Sequence, residues 1–387
     1  MHSVFPHPHF SDFQYLAPEL RLHCGVRSLA ALAQEVRRAG CSRAVVVTGR
    51  SVGASPALQA LRDALGDVLV GESHAVKPDS PMPAVAEVAA RLHALQADAV
   101  IAVGGGSAAV TGRAAAILLA EERPAEELCT RRLPDGRFDS PRLSAPKLAQ
   151  FVVPTTPSTA FVKAGSAVHD PASGRRMALF DPKTRARAIA LDPGLLASAP
   201  PSLVLEAGLN TLSTAIEALE TPRCDPFSEA WLMQAIRLVA RHLGGRGEDD
   251  PAARAALAVS AVLCGRGTEQ SGGGLASVLA HAIGRRSTAS NGIVNAIVLP
   301  YTLGFNASAT AARRPRVAEA LGAGDAVETL QALLAGLAVP RRLREIGIEQ
   351  THLPEIAEAA MSDWFISRNP RTVVHADEVL ELLQAAW

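Results

Sequence analysis

Residues 99–103 (AVIAV) run directly into Gly104, Gly105, Gly106 and Ser107, and a helical pattern follows at residues 108–120. Free backbone N–H groups at such a turn, with the positive end of the helix dipole, form a site for phosphate. Glycine there also serves a tight strand-to-helix turn on steric grounds, so the motif alone carries both readings. Thr155 and Thr156 close a later strand pattern, LAQFVVP, and bring two hydroxyls to what would be the same sheet edge. His281, in AHAIG, is the side chain best suited to proton transfer near neutral pH; a lone histidine on an alanine-rich helix is also an ordinary core residue. Arg285 and Arg286 follow it, able to pair with a substrate carboxylate or to stay as surface charge.

The elements that must position these residues follow from periodicity. From Arg27 the pattern SLAALAQEVRRAG has helical spacing and stops at Gly40, and AVVVT (residues 44–48) reads as a buried strand. A second unit adds a helix at 82–96, the strand at 99–103 and the helix after the glycine turn. Alternating helices and strands predict a parallel sheet covered on both faces. Residues 121–147, with LPDGRF in the middle, read as a polar hairpin or lid. After Leu191-Asp192-Pro193 strand patterns nearly vanish and long helical ones dominate, such as 228–243. The expected organisation is an α/β domain over 1–192 and an all-helical domain over 193–387. Glycine-rich residues 271–274 read as a local turn, and no fixed-period repeat occurs.

Composition narrows the classes further. Among 387 residues, 38 basic side chains balance 38 acidic ones, which points away from nucleic acid or an anionic membrane as partner. Cys24, Cys41, Cys129, Cys224 and Cys264 are scattered, with no CxxC pair, so neither a disulfide framework nor a zinc knuckle is expected. A reducing cytoplasm fits. The N-terminus has no basic region followed by an apolar stretch, and no run approaches the ~18 apolar residues of a membrane span.

Specific motifs then occur in order: AVGGGS, VPTT, LDP at Asp192, GxNxLxxAIEAL (208–219), AHxxG (280–284), NAIVLP (295–300) and a terminal NPR…AAW. Over about residues 22–387 the chain resembles the iron-containing alcohol dehydrogenase and maleylacetate reductase superfamily. The resemblance implies a Rossmann-like α/β domain with a parallel sheet, an all-helical second domain and a dehydroquinate synthase-like architecture. It also implies a homodimer, a small-molecule substrate and NAD(P)(H) in the cleft. Gly104, Gly105, Gly106 and Ser107 would lie at the pyrophosphate, with Thr155 and Thr156 beside the adenosine or phosphates. Members that prefer NAD often carry an acidic residue after the first strand's VT, where this chain has Gly49-Arg50. Losing the carboxylate and adding a guanidinium favours a 2′-phosphate, hence NADP(H), against the bland reading of Arg50 as a solvated charge.

Metal-bearing relatives use one aspartate and three histidines. Mapped by resemblance, those positions are Asn210, Thr214, Ser277 and Asn291, so no metal is expected. Asparagine at the first position is shared with the maleylacetate reductase branch. Of the site histidines only His281 is retained. The implied chemistry is metal-independent oxidoreduction, with Asn210, Thr214, Ser277 and Asn291 as an uncharged hydrogen-bonding pocket and His281 protonating the alkoxide. Such a pocket suits an electrophilic carbonyl such as a 2-oxo or 4-oxo acid. Arg113 replaces a family lysine, Val110 replaces an acidic residue, and Asn369–Arg371 reads as a turn capping the last helix. Two other classes compete: a catalytically silent nucleotide-binding or assembly protein, and a zinc- and NAD-dependent lyase of the dehydroquinate synthase type. Loss of every ligand counts against the lyase. Replacement of polar ligands by other polar residues favours the enzyme over the silent protein.

Overall fold

The computed structural model describes residues 13–133, 138–244, 249–322 and 324–387. Among the described residues there are ten strands: β1 (Arg21–Cys24), β2 (Ala44–Val47), β3 (Leu69–Ser73), β4 (Ala99–Gly104), β5 (Arg131–Arg132), β6 (Phe138–Asp139), β7 (Ala149–Pro154), β8 (Gly165–Asp170), β9 (Arg175–Phe180) and β10 (Ala186–Leu191). Six of them form one sheet in the order β1-β10-β7-β4-β2-β3, and every pairing in it is parallel. The strands alternate with helices α1 (Ser28–Arg38), α2 (Arg50–Gly53), α3 (Ala57–Leu65), α4 (Met82–Ala94), α5 (Gly106–Glu121) and α6 (Ala125–Leu128).

Period two assigns each side chain to a layer. Val46, Ile101, Val103 and Phe151 pack with Leu32, Leu58 and Leu61 of α1 and α3. Their neighbours Val45, Val47 and Val100 pack on the opposite face with Val85, Val88 and Ala114 of α4 and α5. Burial on both faces explains why β2, β4 and β7 read as continuous apolar runs. The sequence pattern did not flag β1, β3 or β10: β1 and β3 are edge strands with polar residues, and Arg187 interrupts β10. The hairpin expected in 121–147 is present as β5 and β6, paired antiparallel with Arg131 opposite Asp139. Its tip, residues 134–137, lies outside the described residues.

After β10, Asp192 caps α7 (Pro193–Ala197), and all further elements among the described residues are helical. These are α8 (Pro201–Glu220), α9 (Pro226–His242), α10 (Pro251–Ser271), α11 (Leu275–Ile283), α12 (Asn291–Asn306), α13 (Arg314–Leu321), α14 (Ala326–Ala335), α15 (Leu353–Ala360) and α16 (Ala376–Ala386), with short 3-10 turns. Gly272, at φ +75°, turns the chain from α10 into α11, as the glycine-rich stretch predicted. α12 reaches α8 so closely that a Cβ on Gly292 would stand 1.8 Å from the Glu206 carbonyl oxygen. Ala258 and Val262 of α10 join Phe161, Ile189 and Leu191 in one apolar cluster, fastening the helices to the sheet. Among the described residues no helix is long and apolar enough to cross a membrane.

Candidate active site

β4 ends at Gly104, whose φ of +144° favours glycine, and the Thr155 N–H donates to the Gly104 carbonyl at 2.9 Å. α5 then starts at Gly106. A Cβ at Gly105 would lie 3.0 Å from Thr156 Oγ1, and one at Gly106 would lie 2.7 Å from Ser158 Oγ. Bare backbone therefore meets two hydroxyls at the start of a 16-residue helix, whose first N–H groups have no intrahelical acceptor. This cradle fits a pyrophosphate. Thr155 and Thr156 are buried against it, and Ser158, unremarked in the sequence, completes it. Ser80 Oγ donates to the Ser107 carbonyl at 3.2 Å, and Thr111 Oγ1 donates to Ser80 at 3.1 Å. Asp79 and Ser80 both hold positive φ, 59° and 47°, so a strained turn abuts the glycines. KPDSP is legible as a turn, but nothing local says that it lies beside GGGS.

Gly49 precedes α2 and bridges to Ala75, and Arg50 stands exposed at the carboxyl end of β2, beside β4 in the sheet. Arg113 is turned elsewhere: buried, it donates to the carbonyls of Ala160 at 2.5 Å and Gly165 at 2.8 Å, clamping the segment that leads into β8. Burial pulls its guanidinium down to about 10.

On the helical side, α8 carries Asn210 and Thr214, α11 carries Ser277 and His281 one turn apart, and α12 begins with Asn291. The three helices pack on one another, but the expected pocket of four neutral donors needs correction. Thr214 Oγ1 donates to its own helix, at the Asn210 carbonyl, 2.7 Å away. Ser277 Oγ donates to Glu217 Oε2 at 2.6 Å, and Glu217 also accepts from the Ala276 N–H at 2.6 Å, so this buried carboxyl caps α11. Burial pushes Glu217 up, against the pull of those hydrogen bonds. A hydroxyl has one proton, and in both residues it is spent internally. Asn210 differs: its Oδ1 accepts from Asn295 Nδ2 at 3.1 Å, which leaves its own amide N–H groups as donors. Asn291 is exposed at the helix start.

His281 Nδ1 lies 2.8 Å from Asp363 Oδ2, and Phe365 packs against its ring at 6.0 Å between centroids. Neither partner was singled out from the sequence. Arg286 is exposed and paired with Glu355. Arg285 stays exposed and acts electrostatically on Arg176 of β9, which Asp363 and Asp79 also influence. Lost hydration pulls Arg176 down first, although its side chain is exposed. Asn369 is not a simple cap for the last helix. It accepts from Leu275 N–H at 3.3 Å and Asn306 Nδ2 at 3.0 Å, clamping α11 to α12, while Arg371 pairs with Glu378 of α16 at 2.9 Å.

Among the described residues no three His, Cys, Asp or Glu side chains gather where an ion could sit. Amides and inward-bonded hydroxyls are poor ligands for iron or zinc, and one imidazole supplies one of the three or four donors required. The residues present do not fit such an ion.

A parallel-sheet unit with a phosphate cradle, joined to an all-helical unit, defines the dehydroquinate synthase-like class of nicotinamide-dependent proteins. Residues 18–193 match the family described as iron-containing alcohol dehydrogenase, and residues 204–387 match its C-terminal part. The chain belongs to the iron-containing alcohol dehydrogenase family and is an NAD(P)-dependent oxidoreductase acting on CH–OH or carbonyl groups. Lactaldehyde reductase of Escherichia coli (strain K12) is 28% identical over 379 residues, covering 94% of this chain and 97% of that protein. Maleylacetate reductase 1 of Rhodococcus opacus is 24% identical over 381 residues, covering 97% of each. In fold, the crystal structure of 1,3-propanediol oxidoreductase superposes with a TM-score of 0.90 at 23% identity, covering 97% of this chain and 100% of that one.

Proposed function

We propose that the chain interconverts a small oxo compound and its alcohol without a metal ion, with NADP(H) preferred and a carboxylic acid as substrate. One observation carries this reading: the glycine turn brings bare backbone against two hydroxyls, whereas Asn210, Thr214, Ser277 and Asn291, the positions that the resemblance assigns to metal ligands, carry neutral side chains. When bound, the nicotinamide supplies or accepts the hydride. Gly105 and Gly106, with Thr156 and Ser158, hold the pyrophosphate, and Arg50 meets the 2′-phosphate. The Asn210 amide donates to the carbonyl oxygen, where charge develops during reduction, and His281 delivers the proton to that oxygen. Arg285 and Arg176 attract the substrate carboxylate.

The relatives named for lactaldehyde and maleylacetate define the first substrates to test. NADPH and NADH oxidation should be followed with lactaldehyde, maleylacetate, pyruvate and glyoxylate after exhaustive chelation. Turnover that survives chelation and is faster with an oxo acid is expected. Turnover only after zinc or iron is returned would overturn the reading. The inward commitment of the Thr214 and Ser277 hydroxyls favours a second reading, a nucleotide-binding protein without turnover. That reading predicts a cofactor-induced rise in melting temperature with no carbonyl turned over.

A further inference from the structure

We propose that Asp363 is the positioning residue for His281: it holds the imidazole as the Nδ1–H tautomer and balances the charge that appears when Nε2 carries a proton. This rests on the proposed role of His281 as the proton donor. The pair is separated by 82 residues and joins α11 to the segment before the NPR motif. Both side chains are mostly shielded, 21% and 16% exposed, so their attraction is screened less than that of a surface pair. Asp363 is itself held: its Oδ1 accepts from the Phe365 N–H at 2.8 Å, which aims Oδ2 at the histidine. Phe365 then packs beside the imidazole, and Trp364 between them packs on Phe138 of β6, with ring centroids 6.1 Å apart. The Asp-Trp-Phe run thereby ties the histidine's partner to the sheet unit. The other charges nearby are Arg176 and Asp79 from the sheet side, Arg285 after α11, and Arg368, whose guanidinium lies over Phe365 at 5.8 Å.

The chemistry needs this arrangement. With Nδ1–H given to the carboxylate, neutral His281 presents a lone pair at Nε2, which takes the hydroxyl proton as the alcohol is oxidised. In reduction a C–H bond forms from the nicotinamide hydride, the carbonyl π pair moves to oxygen, and the Nε2–H bond breaks to protonate it. Asp363 keeps its charge throughout. Where no Lewis acid polarises the carbonyl, timely protonation of the oxygen carries more of the barrier.

The test uses the full-length protein. Nitrogen-15 NMR of the imidazoles, with His281 assigned from H281Q, should show the Nδ1–H tautomer in the wild type, and Asp363→Ala should move it to Nε2–H. With lactaldehyde or glyoxylate, whichever is turned over faster, D363A should lower kcat about 100-fold while KM moves less than about threefold. Asp363→Glu should recover part of that loss, and D363A should add nothing in an H281A background. Near-isosteric D363N, screened by melting temperature, covers the case in which D363A fails to fold. An unchanged tautomer in folded D363A, or in D363N where D363A does not fold, overturns the proposal, as does wild-type kcat in D363A where H281A is inactive. Full kcat in H281A instead overturns the proton-transfer reading on which the proposal rests. If no carbonyl is turned over, the tautomer alone decides.

Discussion

The glycine turn after β4 and the trio α8, α11 and α12 offer the same kinds of group, N–H donors and hydroxyls, and dispose of them in opposite ways. At the turn, missing side chains leave the first N–H groups of α5 open and bring Thr156 and Ser158 against bare backbone. In the trio, Thr214 and Ser277 turn their protons inward, one to its own helix and one to the Glu217 carboxyl. An exposed donor binds ligands, whereas a satisfied one only stabilises. Counting polar residues at a site therefore overestimates what the site can do. What stays open on the helical side is Asn210, Asn291 and the His281–Asp363 pair.

Four experiments sharpen or break this contrast. The largest effect is expected on the glycine side, from Gly106→Asp. A carboxylate at the start of α5 suits the helix dipole, so the fold should persist, but it opposes a pyrophosphate. Cofactor affinity, read by calorimetry, should fall about 100-fold or more, equivalent to ~2.7 kcal/mol. Unchanged affinity would remove the cradle from the site. Next, Arg50→Asp should swing the NADPH-to-NADH preference by about tenfold, because a guanidinium pairs with a 2′-phosphate and a carboxylate repels it. A constant ratio of dissociation constants would return Arg50 to the solvent.

The third concerns the acids buried in α8. Burial pushes Glu220 up to about 7 from 4.5, with Thr310 donating to it at 3.1 Å. The folded state therefore binds this proton more tightly than the unfolded chain. The stabilisation is complete below the unfolded value and is lost as pH rises through about 7. Glu220→Gln keeps the neutral shape, so its melting temperature should exceed the wild type's by about 2–4 °C near pH 8 and match it near pH 4.5. Parallel melting curves across that range would mean that Glu220 does not drive the loss. The smallest effect belongs to the metal. Elemental analysis should find less than about 0.1 equivalent of iron or zinc, and a chelator should change the rate less than about twofold. Near-stoichiometric metal would show that some other donor set serves.

Strands β2, β4 and β7, the helix after the glycine turn and the helical second half were legible in the sequence, because local periodicity reports burial directly, whereas inner strand β10 was not, because Arg187 interrupts it. Edge strands β1 and β3 were not, since half-exposed edges lose the apolar signal. The cradle was legible in Gly104 to Ser107 and Thr155–Thr156, because glycine and strand-end threonine mark backbone conformation. Ser158 lacks such a mark, and the Asp79–Ser80 turn is marked only as a turn and not by its place; both matter through what folding sets against them.

That Asn210, Thr214, Ser277 and Asn291 carry neutral side chains is likewise a property of the chain alone, since residue type decides what can bind an ion. Whether those replacements could donate to a substrate was decided by the tertiary structure, which set Glu217 beside Ser277 and Asn295 beside Asn210. It also carried Asp363 across 82 residues to His281. The physical reason is that periodicity and turn chemistry are short-range properties of the chain. A hydrogen bond between distant side chains depends on the register of packed helices, which no local pattern encodes.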